Sequence, residues 1–242
     1  MIRVDGLSKR FKTVQALRGV SFCAEDGRVT GLLGPNGAGK STTLRILYTV
    51  IKADSGQAFV DDIDVQRDAL AARRQMGVLP HGAGLYPNLS ARENILYYGR
   101  LHGLRGTQLA NRVTQLLDEL DMGSFADRRA KGFSQGQRTK VALARALVHE
   151  PRNLLLDEPT NGLDVMATRS LRELIRSLKA AGHCVLLSSH IMQEMAALCD
   201  DIIIVSAGKV VTAGTPASLA ELGGGDLEQV FVDAVTAAER SS

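Results

Sequence analysis

The sequence predicts an α/β fold, and three observations carry that prediction. Short β-like apolar runs, "IRV", "VTGLL", "QAFV", "MGVLP", "LLLD", "CVLLSS" and "DIIIVS", recur along the 242 residues with helical patterns between many of them. One of these runs stops at a glycine, passes through small and turn-forming residues, and resumes as a helical pattern at Lys40, so that "LLGPNGAGKSTTLRIL" reads as strand, loop and helix. Between "MGVLP" and "LLLD" the rhythm changes. There "SARENILYYGRLHGL" and "TQLANRVTQLLDELDMG" are consecutive helix candidates without a strand between them, which predicts a helical insert over about residues 85–150.

In chain order, the N-terminal runs lead into the glycine loop at residues 34–41. This loop fits G-x-x-x-x-G-K-[ST], with Gly34, Pro35, Asn36, Gly37, Ala38, Gly39, Lys40 and Ser41 in place and Thr42 following. Each residue type has a mechanical reason: backbone amides and a helix N-terminus cradle phosphate, the lysine neutralises it, and the Ser41 hydroxyl ligates magnesium. The strand before and the helix after are what such a phosphate site requires, although the loop would suit GTP as well as ATP. Further on, the first helix of the insert starts at a capping box, because Ser90 is followed three residues later by Glu93.

"NLLLDEPT" then places two acids, Asp157 and Glu158, at the end of an apolar strand. Neighbouring side chains diverge on a strand, so Asp157 is expected to face the magnesium and Glu158, at the strand's mouth, to act as base for the attacking water. Two adjacent acids alone would be no more than a solvated strand end. Paired with the phosphate loop they predict nucleotide hydrolysis. Near the C-terminus the triple glycine after "TAGTPASLAEL" reads as a hinge, dividing a domain over residues 1–223 from a tail over 224–242. In that tail "LEQVFVDAV" sets Leu227, Val230, Phe231 and Ala234 on one helical face, and the plainer reading of that face is packing on the chain's own domain.

The bulk composition narrows the class. A hydrophobic content of 45 % is enough for a sizeable core. The balance of 29 basic against 26 acidic residues leaves a net charge of +3, too small and dispersed to argue for nucleic acid. Cys23, Cys184 and Cys199 are odd in number and widely spaced, as expected of reduced thiols in a cytoplasmic protein. The start "MIRVDGLSKRF" has no apolar segment of signal-peptide length, and the longest apolar runs are too short to cross a bilayer, so a membrane role calls for a partner chain.

With "KGFSQGQRTKVALARALVHEP", ending just before the acidic strand, the chain resembles the ATP-binding subunits of ABC transporters over nearly its whole length. The family's L-S-G-G-Q signature is matched by "FSQGQ", with Ser134, Gly136 and Gln137 kept and Gln135 in place of the first glycine. The pentapeptide alone would be an ordinary Ser-capped helix; the order of the other motifs makes it more. "NGLD" puts Asp164 at the position the family uses to couple the two sites of a dimer, and "LSSH" puts His190 at that of the switch histidine on the γ-phosphate. Phe11 matches the aromatic that stacks on adenine. After "MGVLP" the family normally carries a glutamine that links magnesium and water to the helical insert. Here the residue is His81, whose imidazole can still donate or accept but also titrates.

The resemblance implies an ABC cassette of the P-loop NTPase class, with a RecA-like core, an antiparallel β-subdomain and the helical insert. It implies ATP and Mg²⁺ as cofactors, with Ser41, Asp157 and His81 around the metal and Glu158, His190 and Lys40 at the chemistry. It further implies a head-to-tail dimer with a second ATP-binding subunit, taken as an identical copy, and a transmembrane permease docked beside Leu85 and Tyr86. No nucleic-acid partner is implied, and the location is peripheral on the inner face of the cell membrane. "GLYPNLSARENI", "NGLDVMATRS" and "SSHIMQE" are most similar to bacterial exporters with separate membrane subunits, especially the sodium-extruding branch. A rival of another class is an ABC ATPase that moves no solute and serves as an assembly or interaction module. A small P-loop kinase would leave the signature and switch histidine together without a reason.

Overall fold

The computed structural model describes residues 1–82 and 84–240. In chain order its strands are β1 (Ile2–Phe11), β2 (Val14–Ala24), β3 (Val29–Leu33), β4 (Ser55–Val60), β5 (Ile63–Asp64), β6 (Met76–Leu79), β7 (Asn153–Asp157), β8 (Cys184–Ser189), β9 (Asp201–Ser206) and β10 (Lys209–Gly214). The α-helices are α1 (Lys40–Leu47), α2 (Ala69–Arg74), α3 (Ala91–Leu101), α4 (Gly106–Glu119), α5 (Gln135–Leu147), α6 (Val165–Ala180), α7 (Met192–Leu198), α8 (Pro216–Leu222) and α9 (Leu227–Arg240).

The strands form a six-stranded sheet in the order β10-β9-β3-β8-β7-β6 and a four-stranded sheet in the order β2-β1-β4-β5. The larger sheet is parallel from β9 to β6, with β10 antiparallel at its edge. The smaller one is antiparallel throughout. Every residue of β3, β7 and β8 is buried, as expected of central parallel strands covered on both faces. Alternation along these strands separates two cores. Leu154, Leu156, Val185, Leu187, Ile202 and Ile204 face the side that carries the helical insert together with α6, α7 and α9, while Leu155, Leu186 and Ile203 face α1 and the antiparallel sheet. Burying one such leucine contributes about 1.5–3 kcal/mol, and cutting Leu155 back to alanine would cost about 2–5 kcal/mol.

The insert runs from α3 to α5 without a strand among its helices. Its capping box forms in both directions: Glu93 N–H donates to Ser90 Oγ at 3.1 Å and Ser90 N–H to Glu93 Oε2 at 2.8 Å. The fully buried Asn94 then ties down the loop before α3, accepting from Tyr86 N–H at 3.0 Å and donating to Ser90 O at 2.9 Å. Just past α5, His149 stacks on His102 with ring centroids 3.6 Å apart and sets Nε2 3.1 Å from Met76 O, joining the insert to β6.

Three strands escape the sequence reading. β2 mixes exposed and buried positions without clean alternation, β5 has two residues, and β10 is a largely half-exposed edge strand. β1 also runs on to Phe11, its pairing with β2 interrupted by register shifts that break the period of two. At the C-terminal end, Gly223 and Gly225 N–H groups both donate to Ala220 O, at 3.0 and 2.8 Å, closing α8 with a tight turn. After that turn Leu227, Val230, Phe231 and Ala234 of α9 pack on the core cluster.

Candidate functional site

Adjacent parallel strands end at one level, and that rim collects the predicted residues. Leu33 of β3 lies opposite Ser189 of β8, Ser188 opposite Asp157 of β7, and Leu156 opposite Leu79 of β6. The segments leaving these ends are the phosphate loop after β3, His190 after β8, Glu158 after β7 and His81 after β6. This is the carboxyl edge at which open α/β sheets bind ligands.

The loop is shaped around its glycines. Gly39, the residue before α1, has φ of 107°, and a Cβ there would lie 2.8 Å from Ala16 O, so a side chain is excluded both by backbone conformation and by space. Gly34, Pro35, Asn36, Gly37 and Ala38 turn tightly, with Ala38 N–H donating to Pro35 O at 3.2 Å. Helix α1 carries no acid in its first turn, which contains Ser41 and Thr42, so its positive end is free for an anion. Lys40 is buried and folded back on the loop, its Nζ donating to Gly34 O at 2.7 Å and Pro35 O at 3.0 Å. Burial lowers its pKa, while Glu158 and Asp157 act in the opposite sense.

Asp157 is 2 % exposed, and its Oδ1 accepts from Ser188 Oγ at 2.7 Å and Ser41 Oγ at 3.0 Å. Its Oδ2 is buried and, among the described residues, has no hydrogen-bond partner. An unpartnered carboxylate oxygen beside a serine hydroxyl and a phosphate loop suits a hard cation such as Mg²⁺. That ion is usually bound by one or two carboxylates together with substrate phosphates. Among the described residues no cluster of three or more His, Cys, Asp or Glu side chains forms a metal cage.

Glu158 departs from the strand geometry expected of it. β7 ends at Asp157, and Glu158 sits beyond it with φ of 50°, in the left-handed region, at a cost of about 1–3 kcal/mol. The divergence of the two acids therefore comes from this turn rather than from pleating. It brings Glu158 Oε1 to 3.3 Å from His190 Nδ1 and Oε2 to 3.8 Å from His81 Nδ1 and 3.5 Å from Asn161 Nδ2. Glu158, His81, Asp157 and Gln135 together line a cleft of about 650 Å³. His81 thus meets Glu158; Asp157 is held by Ser41 and Ser188.

The remaining predicted residues lie away from that cluster. Ser134 caps α5 through a second capping box, accepting from Gln137 N–H at 3.3 Å while Gln137 Oε1 accepts from Ser134 N–H at 3.1 Å. By helix geometry the amides of Gln135 and Gly136 have no partner within the helix. Asp164 caps α6, accepting from Ala167 N–H at 2.8 Å. Beyond it Val165 and Met166 are 83 % and 69 % exposed. Phe11 ends β1 with an exposed ring and Lys9 Nζ 5.5 Å from its centroid. Behind His81, Arg145 of α5 donates to Gly84 O at 2.7 Å and lies over the Tyr98 ring at 3.7 Å, joining the loop after β6 to the insert.

A family model described as ABC transporter matches residues 17–161. The chain belongs to the ABC transporter family. It is similar to the ABC transporter ATP-binding protein NatA of Bacillus subtilis, at 42 % identity over 91 % of this chain and 92 % of that one. It is also similar to the Nod factor export ATP-binding protein I of Paraburkholderia xenovorans, at 38 % over 90 % and 72 %. Among solved structures, an ATP-binding subunit of an ABC transporter superposes with a TM-score of 0.88 at 28 % identity, covering 97 % of this chain and 99 % of that one. A dimeric bacterial ABC transporter cassette superposes at 0.81 with 27 % identity over 89 % and 99 %. The fold is that of an ABC cassette, and the chain is an ATP-binding subunit and an ATPase.

Sequence reasoning missed Ser188 and Asn161. Asn161 opens the "NGLD" stretch, but nothing in that pattern points its side chain at Glu158. Ser188 does: within "CVLLSS" it is a hydroxyl at the end of a wholly apolar run, where burial without a polar partner would be costly.

Proposed function

We propose that two copies of this chain close head to tail on ATP and drive export through a separate membrane permease. The observation that carries the reading is the rim itself, where Lys40, Ser41, Asp157, Glu158 and His190 converge from adjacent parallel strands. Lys40 and the loop amides hold the phosphates, leaving their internal bonds to Gly34 and Pro35 when ATP enters. Ser41 and Asp157 would hold Mg²⁺, which neutralises charge on the transferred phosphoryl group. Glu158 accepts the proton of the attacking water, His190 contacts the γ-phosphate, and Phe11 offers its open face to adenine.

The start of α5, with Ser134 exposed and Gly136 and Gln137 half-buried, then faces the phosphates bound by the other copy, with Asp164 beside it. His81 senses the site through Glu158, and the loop behind it passes the change to the insert through Arg145. Leu85 and Tyr86, in that same loop, meet the permease at the inner face of the membrane. Among the described residues no helix is long and apolar enough to cross a membrane, so the path for cargo lies in the partner. Export is favoured because relatives bear names of export and resistance proteins, the Nod factor exporter and a linearmycin resistance protein among them.

The test is Glu158→Gln, which keeps shape but cannot accept the proton. Steady-state hydrolysis should fall by about 10²- to 10⁴-fold while equilibrium ATP binding stays within a few fold. Turnover near that of the parent would remove Glu158 from the role of base.

A further inference from the structure

We propose that Ser188 is a positioning residue for ATP hydrolysis, acting by fixing the Glu158 backbone and the Asp157 carboxylate to each other. The inference rests on the reading of Glu158 as the base. Ser188 stands opposite Asp157 in the pairing of β7 with β8 and is fully buried. Its hydroxyl has one proton and spare lone pairs, and both kinds of capacity are used on the two acids: it donates to Asp157 Oδ1 at 2.7 Å and accepts from Glu158 N–H at 3.0 Å.

The position otherwise calls for an apolar side chain. Val185, Leu186 and Leu187 precede it on β8, and every residue of the strand is buried. A hydroxyl is tolerated in such a place only where polar partners meet it, and Asp157 and Glu158 supply them. The second bond falls at the strained point of the site, since Glu158 is a non-glycine residue with φ of 50°. A donor held at the start of a left-handed turn fixes where that residue's side chain goes. Here the side chain goes to His190 Nδ1 at 3.3 Å and to His81 Nδ1 at 3.8 Å.

Ser188 also divides the labour on Asp157. Together with Ser41 it occupies Oδ1, leaving Oδ2 as a buried acceptor with no hydrogen-bond partner among the described residues. Loss of Ser188 would leave Asp157 with the Ser41 bond alone and release the Glu158 backbone from its clamp. The phosphate loop makes no hydrogen bond to Ser188 that the structure records among the described residues, so nucleotide binding should change little. Misplacement of a reacting group by about 1 Å can cost up to about a hundredfold in rate.

The experiment compares Ser188→Ala and Ser188→Cys with the parent 242-residue chain. Cysteine keeps the shape with a somewhat larger atom but is a weak donor and weak acceptor, and it decides the matter if the alanine variant does not melt cooperatively. In both variants kcat for Mg-ATP should fall about ten- to a hundredfold with KM within about threefold. In the nucleotide-free protein, exchange of the Glu158 amide with deuterated solvent should rise about tenfold or more as its acceptor is lost. An unchanged kcat, or a rise in KM alone, would overturn the proposal, because a merely structural serine would alter melting without that split. Glu158→Gln run in parallel separates the two readings. If it is inactive while the Ser188 variants turn over normally, only the positioning role fails; if it turns over normally, the assignment of the base fails first.

Discussion

Asp157 and Ser134 both stand where an apolar element of this cassette gives way to the site, yet they are built differently. Asp157, at the end of β7, is buried and accepts from the hydroxyls of Ser188 and Ser41 on two other elements. Ser134, at the start of α5, is exposed, and its capping bonds stay within its own turn. The first region is finished by the chain's own fold, and on the proposed reading it binds phosphate in a single copy. The second presents a positive helix end outward, and on the proposed reading the site built on it is completed by another copy.

Removing the charge at the finished end should have the larger effect. Lys40→Ala takes away a buried ammonium that now satisfies two loop carbonyls and would otherwise meet phosphate, so ATP affinity in the monomer should drop on the order of a hundredfold, measured by titration calorimetry. Retained affinity would mean that the loop amides alone suffice.

The packing of the insert against the start of β6 should show itself in acid. Burial, with a smaller contribution from His102, holds His149 down at about 4 from its ordinary 6.5. The folded protein therefore keeps this ring neutral where the unfolded chain takes up a proton. Its stabilising effect is complete above pH 6.5 and is lost progressively as pH falls from about 6.5 to about 4. With allowance for the ring's partial exposure the loss is about 2 kcal/mol. Denaturant unfolding of the parent and His149→Gln across that range should show the steeper fall in the parent, and parallel curves would refute the assignment.

Ser134→Ala should have the smallest effect on the isolated chain. It costs about 1 kcal/mol of helix capping and leaves monomer ATP binding intact, but it should impair ATP-driven pairing of two copies. Normal pairing and normal hydrolysis by this variant would break the contrast between a self-sufficient and a shared half.

The sequence made the self-sufficient half legible to a large extent. Central strands such as "VTGLL", "LLLD" and "CVLLSS" are short buried runs with clear ends, and the phosphate loop has a spacing fixed by its mechanics. The Ser90 capping box was legible for the same reason, being a local pattern that acts within one turn. What was not legible depends on contacts between distant segments. β2 and β10 take their pairing from neighbours rather than from their own alternation. The left-handed turn at Glu158 is fixed in part by Ser188, thirty residues further along the chain. The direction of His81 toward Glu158 likewise follows from β6 lying beside β7, an order that the motifs do not encode locally.

The measurement that tests most directly whether the second half is completed by another copy is the solution mass of Glu158→Gln with and without ATP, by analytical ultracentrifugation. One chain has a mass of 25.9 kDa. The expected result is a monomer without nucleotide, a species of about twice that mass with ATP, and no such species when Ser134→Ala is added to Glu158→Gln. A variant that binds ATP fully yet sediments as a monomer would contradict it.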